Sequence, residues 1–334
     1  MAGNPNFDEI LTTTLNNYVP KLTDNIFSAR PLFYALTNGQ TMRTISGGAK
    51  IIVPVIYAGN STADHYSGNE AIATVNSTPG MSAAEYTWGQ YAATVTINGL
   101  EEAQNNGEAQ IIDLLEGKIF QTQETIIENM NAMFYQDGPI AGNATHATRW
   151  NGLKNIVRHG GAATDALGGI SPATNTWWKS QHTATPTNAG AGGNIDNLTA
   201  ALMATVYNNC SVGNDQPTII ITSQQAYEKY ESLLTGQMRY TDTDMADAGF
   251  QNLLFKGAPI TFDPQLSTGI VAADSQEMYF LNTKYIQLVR HSDVWFKPTP
   301  FVRPTNQDAV FSQILAYGQL TCSNRSRQGK LSAL

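Results

Sequence analysis

Charge is scarce in this chain: Asp, Glu, Lys and Arg make up 14% of its 334 residues, against roughly a quarter in an average soluble domain. Disordered chains are charge-rich and apolar-poor, and a content of 42% hydrophobic residues excludes that class. The surface must then be covered mainly by Asn, Gln, Thr, Ser, Gly and Ala. Such groups leave water at lower cost than ions, so the surface suits packing against neighbours. Basic residues are the scarcer sign, 19 against 27 acidic, for a net charge of −8. A protein built to grip phosphate shows the opposite balance. Cysteine is nearly absent: Cys210 and Cys322 cannot make a disulfide framework and read as two free thiols in a reducing cytoplasm. No apolar run approaches the ~18–20 residues of a membrane span. The opening MAGNPNFDEI lacks the basic-then-apolar order of a secretory signal.

Chemical signatures are missing too. His65, His146, His159, His182 and His291 are scattered, with no i+3 or i+4 pairing and no Cys at zinc-ligand spacing. No nucleophile elbow or phosphate loop occurs. Gly190-Ala191-Gly192-Gly193 precedes a helical pattern but follows no strand, and reads as a linker. Asp242, Asp244 and Asp247 alternate like calcium ligands yet lack the glycine and glutamate of such a loop, and read as a solvated turn. Glu101 and Glu102 are adjacent and point apart, which leaves no acid–base pair. Arg325, Arg327 and Lys330, in SNRSRQGK, read either as a weak phosphate contact or as a solvated terminus. The sequence therefore predicts no enzyme, and no catalytic, cofactor-binding or metal-ligating residue.

What is present is pattern. At about 100–200 residues per domain the length predicts two domains. Phe7, Ile10, Leu11, Leu15 and Tyr18 have helical spacing over 6–18, which Pro20 stops. After Pro31 an extended stretch is expected, with turns at Asn38-Gly39 and Gly47-Gly48. Residues 49–58 predict a strand with Ile51, Val53, Val55 and Tyr57 on one face, and Pro54 marks it as an edge or hairpin arm. Residues 86–97 alternate again, with Tyr91, Ala93, Val95 and Ile97 together. Between them, 59–85 is rich in Gly, Asn, Ser and Thr, and no Lys or Arg occurs from Ile51 to Gly117. A long two-stranded arm with a flexible tip is the simplest reading. Such an arm is barely stable alone, so it needs a partner surface.

The longest helical signal covers 108–135, a rod of about 42 Å. Ile111, Leu115 and Ile119 step by four, and Ile126, Met130 and Phe134 continue the stripe. Residues 136–195 are irregular and glycine-rich around Trp177-Trp178. A boundary is expected near 190. Beyond it the pattern predicts a helix over 196–210 with Leu198, Leu202, Val206 and Cys210 in line. A buried strand follows at Thr218–Thr222, then a helix over 224–235 capped by Ser223, with Tyr227, Tyr230 and Leu234 inward. Strand-like runs come at 258–263, 278–281, 284–290, 294–297 and 309–322.

Specific stretches carry a resemblance. They are SARPLFYALTNGQTMRTISGGAKIIVPVIYAGN at 28–60, HYSGNE at 65–70 and MADAGFQNLLFKGAPITFD at 245–263. MYFLNTKYIQL at 278–288 and FVRPTNQDAVFSQILAYGQLTCSNR at 301–325 complete the set. In this order they resemble the major capsid proteins of tailed bacteriophages, with the Hong Kong ninety-seven-type capsid fold. The resemblance implies an α+β chain. Residues 1–48 would be an N-terminal arm and 49–98 an extended loop, a long β-hairpin. Residues 99–190 and 284–334 would form a peripheral domain around a spine helix at 108–135, and 191–283 an axial domain.

It also implies a structural protein that assembles with itself, as pentamers and hexamers, into an icosahedral shell around double-stranded DNA. Scaffolding, portal and decoration proteins are the expected partners, contact with DNA would be weak and non-specific, and no membrane is involved. The site would be the virion capsid, assembled in the host bacterial cytoplasm. Because the arm begins almost at Met1, the scaffold is expected to be a separate protein. Some members crosslink a loop lysine to a neighbour's asparagine. Here no lysine lies between Ile51 and Gly117, and Lys50 sits only at the loop's base, so no such bond is expected. Two competing classes follow from the residues alone. One is a glycan-binding or adhesive β-rich module, a stable monomer that would fold the 50–97 arm onto its own core. The other is a hydrolase with two facing carboxylates in a cleft.

Overall fold

A buried strand with no polar side chain in its middle, Ile219–Thr222, organises the larger part of the molecule. The computed structural model describes residues 30–37, 41–60, 62, 65, 68–69, 79–104, 114–136, 138, 149–158, 165–184, 197–234, 253–267 and 277–332. The helix expected over 6–18, the Asn38-Gly39 turn, the Gly190–Gly193 stretch, the Asp242/Asp244/Asp247 cluster, His146 and His159 lie outside these residues.

The described elements run α1 (Pro31–Thr37), β1 (Met42–Ile45), β2 (Ile51–Ile56), β3 (Met81–Tyr86), β4 (Gly89–Asn98), α2 (Gly99–Gln104), α3 (Leu114–Phe134) and α4 (Leu153–Ile156). Then come β5 (Gln181–Ala184), α5 (Ala200–Cys210), β6 (Ile219–Thr222), α6 (Gln224–Leu233), β7 (Leu253–Phe255), β8 (Ala258–Phe262) and α7 (Pro264–Ser267). β9 (Met278–Leu281), β10 (Ile286–Pro298), β11 (Ala309–Cys322) and β12 (Gly329–Ser332) close the chain. They form a six-stranded sheet ordered β5-β12-β9-β6-β8-β7, a four-stranded sheet ordered β1-β10-β11-β4, and a two-stranded sheet of β2 and β3. The class is α+β, as expected.

The chain divides into two compact units built from discontinuous segments. The larger comprises 28–92, 127–297 and 315–334. In its six-stranded sheet β6 pairs parallel with β8 and antiparallel with β9. A central strand covered on both sides carries an unbroken apolar run, which is why IIIT folds there. Helices α5 and α6 start where a hydroxyl can take an otherwise orphaned N–H. Thr199 accepts from the Leu202 amide and Ser223 from the Ala226 amide. The core beneath them joins Leu198, Val206, Cys210, Tyr227 and Tyr230 to Ile220, Ile260 and Phe280, the inward faces the spacing predicted. Trp150 is buried against Phe134 and Trp295, and a Cβ at Gly318 would come within 2.7 Å of its ring.

The smaller unit takes in 93–126 and 298–314, with 1–27. Among its described residues the Gly99 amide donates to the Asp308 carbonyl at 3.0 Å, and Val302 and Phe311 exchange backbone bonds at 2.9 and 3.0 Å. Lys118 Nζ donates to Glu101 Oε2 at 2.5 Å and to the Thr96 carbonyl at 3.2 Å. Glu101 is exposed, and this lysine holds its carboxyl below the usual range.

The long helix is described over 21 residues, about 31 Å, and the expected start at 108–113 lies outside the described residues. Ile126, Met130 and Phe134 are fully buried, whereas Ile119 is only half-buried. Four local expectations are corrected. The segment after Pro31 is helical, because proline at the first helical position loses an N–H that would have no partner anyway. The strand paired with β2 is Met81–Tyr86, inside the stretch read as connection. Its sequence, MSAAEY, has little β-propensity and takes strand form from pairing. The strand at 89–98, with the inward face predicted for it, instead joins the four-stranded sheet. Finally, 286–298 is one strand, because ladder bonds continue through polar Ser292-Asp293 where apolar alternation fails.

Candidate assembly surface

The β2–β3 hairpin is apolar on both faces. Its register pairs Ile51 with Tyr86, Val53 with Ala84, Pro54 with Ala83 and Ile56 with Met81. The inner face is secured to the chain's own larger unit. Ile51, Val55, Ala84 and Tyr86 are buried there. The Tyr86 hydroxyl donates to the Cys322 carbonyl at 2.8 Å and accepts the Cys322 amide at 3.2 Å. Burial first, and then Cys322, push this phenol far above its usual range. The Glu85 amide donates to the Gly168 carbonyl at 2.9 Å. Gly168 has φ +61°, and a Cβ there would approach Ala84 Cβ to 2.8 Å. Past the strand, Tyr57 stacks on Trp177 at 5.0 Å and donates to the Pro79 carbonyl at 3.1 Å.

Among the described residues the outer face has no such cover. Ile52, Ile56 and Met81 are 58%, 74% and 79% exposed, and Pro54 and Ala83 between them are exposed as well. One ion pair, Lys50 to Glu85 at 2.6 Å, lies at the root. β2 and β3 pair with each other and with no third strand among the described residues. Full burial of an Ile or Met side chain stabilises by roughly 1.5–3 kcal/mol. A contiguous apolar face on a strand pair with open edges marks a contact surface. In the smaller unit Leu100, Phe120, Phe301 and Val302 are further exposed apolar side chains.

The remaining sequence candidates fall into structural roles. Among the described residues no group of His, Cys, Asp and Glu is placed to hold a metal ion, and no helix is long and apolar enough to cross a membrane. His182 Nε2 lies 2.6 Å from Ser332 Oγ, and His291 meets Trp88 edge-on. Cys210 and Cys322 are free and buried, and burial pushes both thiols up to about 12.

The basic C-terminal segment is corrected: two of its cations are neither solvated nor free for phosphate. Arg325 is fully buried and donates to the Ile156, Asp165 and Asn155 carbonyls at 2.7, 2.6 and 3.0 Å. Lys330 is buried on Glu277 at 2.6 Å. Periodicity cannot find these residues, because their partners lie 53 to 170 positions away.

No family model matches this chain, and no curated protein matches it. Solved structures do. The capsid asymmetric unit of cyanophage A-1(L) superposes with a TM-score of 0.63 at 17% identity, covering 95% of this chain and 96% of that one. The SrpI encapsulin of Synechococcus elongatus PCC 7942 gives 0.60 at 11% identity, over 100% and 96%. The capsid of Myoviridae phage XM1 gives 0.57 at 8% identity, over 96% and 97%. Across nearly its whole length the chain has the Hong Kong ninety-seven-type capsid fold.

Proposed function

We propose that this chain is a shell subunit, the major capsid protein of a tailed bacteriophage. Copies assemble as pentamers and hexamers into an icosahedral container for double-stranded DNA, and the protein's place is the virion capsid. The observation that carries the reading is the uncovered apolar face of the β2–β3 hairpin, in a chain with a capsid fold from end to end. That face packs on a second copy of the chain. The β2–β3 hairpin, within the 49–98 segment expected as the extended loop, then serves as that loop, the helix up to 135 as the spine, 191–283 as the axial domain, and 1–48 as the arm. Each contact is modest, and closure multiplies it through effective concentration. Rotations that close give a finite particle. A scaffold, a portal and decoration proteins are the expected partners, with assembly in the host cytoplasm. The role is structural and not enzymatic. A glycan-binding or adhesive module draws no support from a fold shared with shells over the full chain.

The test is electron microscopy of the purified protein, alone and with its scaffold co-expressed. The wild type should give closed particles. The double variant Ile56→Lys/Met81→Glu places a cross-strand ion pair on the outer face, which keeps the hairpin paired. It should retain the wild-type unfolding midpoint and sediment as small oligomers. Normal particles from this variant would remove the hairpin from the interface. A second reading, a compartment of the encapsulin kind, is favoured by the superposition that covers the whole chain. Particles isolated from the native source distinguish the two, because only a capsid should contain packaged double-stranded DNA.

A further inference from the structure

Where α3 meets the end of the six-stranded sheet, two carboxylates take hydrogen bonds from one residue, Gln265. Asp263, wholly buried, accepts from Asn131 Nδ2 at 3.0 Å, Tyr135 OH at 2.8 Å and the Gln265 amide at 3.0 Å. Gln265 also donates its side-chain Nε2 to Glu128, and Glu128 accepts from Arg30 Nε at 2.9 Å. Along the same sheet end Glu277 takes Lys330 and Tyr279, a pair already balanced in charge. Among the described residues, the Arg30 guanidinium pairs with Glu128, and no cation touches Asp263. The buried Asn131 Oδ1 and Gln265 Oε1 have no hydrogen-bond partner, so this site is rich in acceptors and short of donors. A carboxylate in such a place is unfavourable unless paired.

We propose that Asp263 binds one proton in the folded protein, and that this proton locks the C-terminal half of the long helix to the six-stranded sheet. The added O–H removes the excess charge and supplies one of the donors the site lacks. Burial is the main influence raising the Asp263 carboxyl above its usual value, and the charge of Glu128 adds to it, against the three donors. Tyr135, beside it, is held neutral by burial and by Asp263. The sign follows: with the folded value above the unfolded 3.8, the proton's contribution is complete below the unfolded value. It is lost as pH rises through the folded value. The joint is therefore tighter in mild acid than at neutrality, whether or not the chain builds a shell.

The experiment is urea unfolding of the full-length wild type and Asp263→Asn between pH 4 and pH 8. Relative to the variant, the wild-type unfolding constant should rise by about tenfold per pH unit between the two values and then level off. Parallel pH profiles would overturn the proposal. Tyr135→Phe removes a donor to the carboxylate, so it should move the titration to higher pH, whereas a purely structural tyrosine would shift stability equally at every pH. Should Asp263→Asn not fold, infrared spectroscopy of the folded wild type decides. A carboxylic-acid C=O band that disappears on raising the pH, with a midpoint higher in Tyr135→Phe, supports the proton. No such band in mild acid, or an unmoved midpoint, refutes it.

Discussion

Arg325 shows how far a single side chain's role can lie from its sequence context. Burial draws its guanidinium below the usual arginine range, with Cys322 and Asp165 opposing. It remains because a rigid planar fork meets three backbone carbonyls on two separate segments. Arg158 pairs with Asp165 at 2.9 Å and braces the same loop. Lysine offers a compact ammonium without that planar fan. Arg325→Lys should therefore leave carbonyls unpaired and cost about 2–4 kcal/mol. The check is a urea midpoint, and a loss near zero would mean that the fork is dispensable. Lys330 and Glu277 obey the logic of a buried pair. Lys330→Met alone strands a carboxylate and should cost about 3–5 kcal/mol. Adding Glu277→Gln should recover much of that loss, so a double variant worse than the single one would contradict the pairing.

At the scale of elements, the hairpin depends on the short turn that receives it. Leu167 and Ile170 bridge each other, and Gly168 between them adopts a left-handed backbone against Ala84. An L-residue in that conformation costs roughly 1–2 kcal/mol, and a Cβ here must also displace Ala84. Gly168→Ala should therefore loosen the hairpin while sparing the six-stranded sheet. Limited proteolysis should cut between residues 57 and 80 faster, and the amide of Glu85 should exchange sooner; unchanged protection there would show that the turn is not the anchor. The same elements show what a sequence makes legible. IIIT at 219–222, the stripes of α5 and α6 and the alternation over 309–322 were readable, because burial imposes a period on the side chains themselves. Met81–Tyr86 was not, since its strand form comes from a partner thirty positions away and not from its own residues. The candidate surface was half legible: an arm in need of a partner could be inferred from 49–58. Which face stays uncovered required the register of Ile56 against Met81.

For the whole molecule, the charge balance decides what a shell of the proposed kind would do with enclosed DNA. The formal charge is −8, and with Arg325 and Lys330 buried in structural bonds the cations available to phosphate are fewer than the sequence count. Binding to duplex DNA draws its free energy from counterions released as Lys and Arg reach phosphates, and at physiological salt the field of a surface charge is screened within about 8 Å. A wall of net negative charge gains little from either source. A shell that encloses DNA without gripping it also leaves the cargo free to exit, and strong adhesion would oppose that. Mixed with linear double-stranded DNA, the purified protein should therefore fail to retard it in a gel at low or moderate salt. Tight binding at moderate salt that weakens steeply as salt rises would mean that exposed cations gather on one face. The wall would then hold its contents by contact and not by closure.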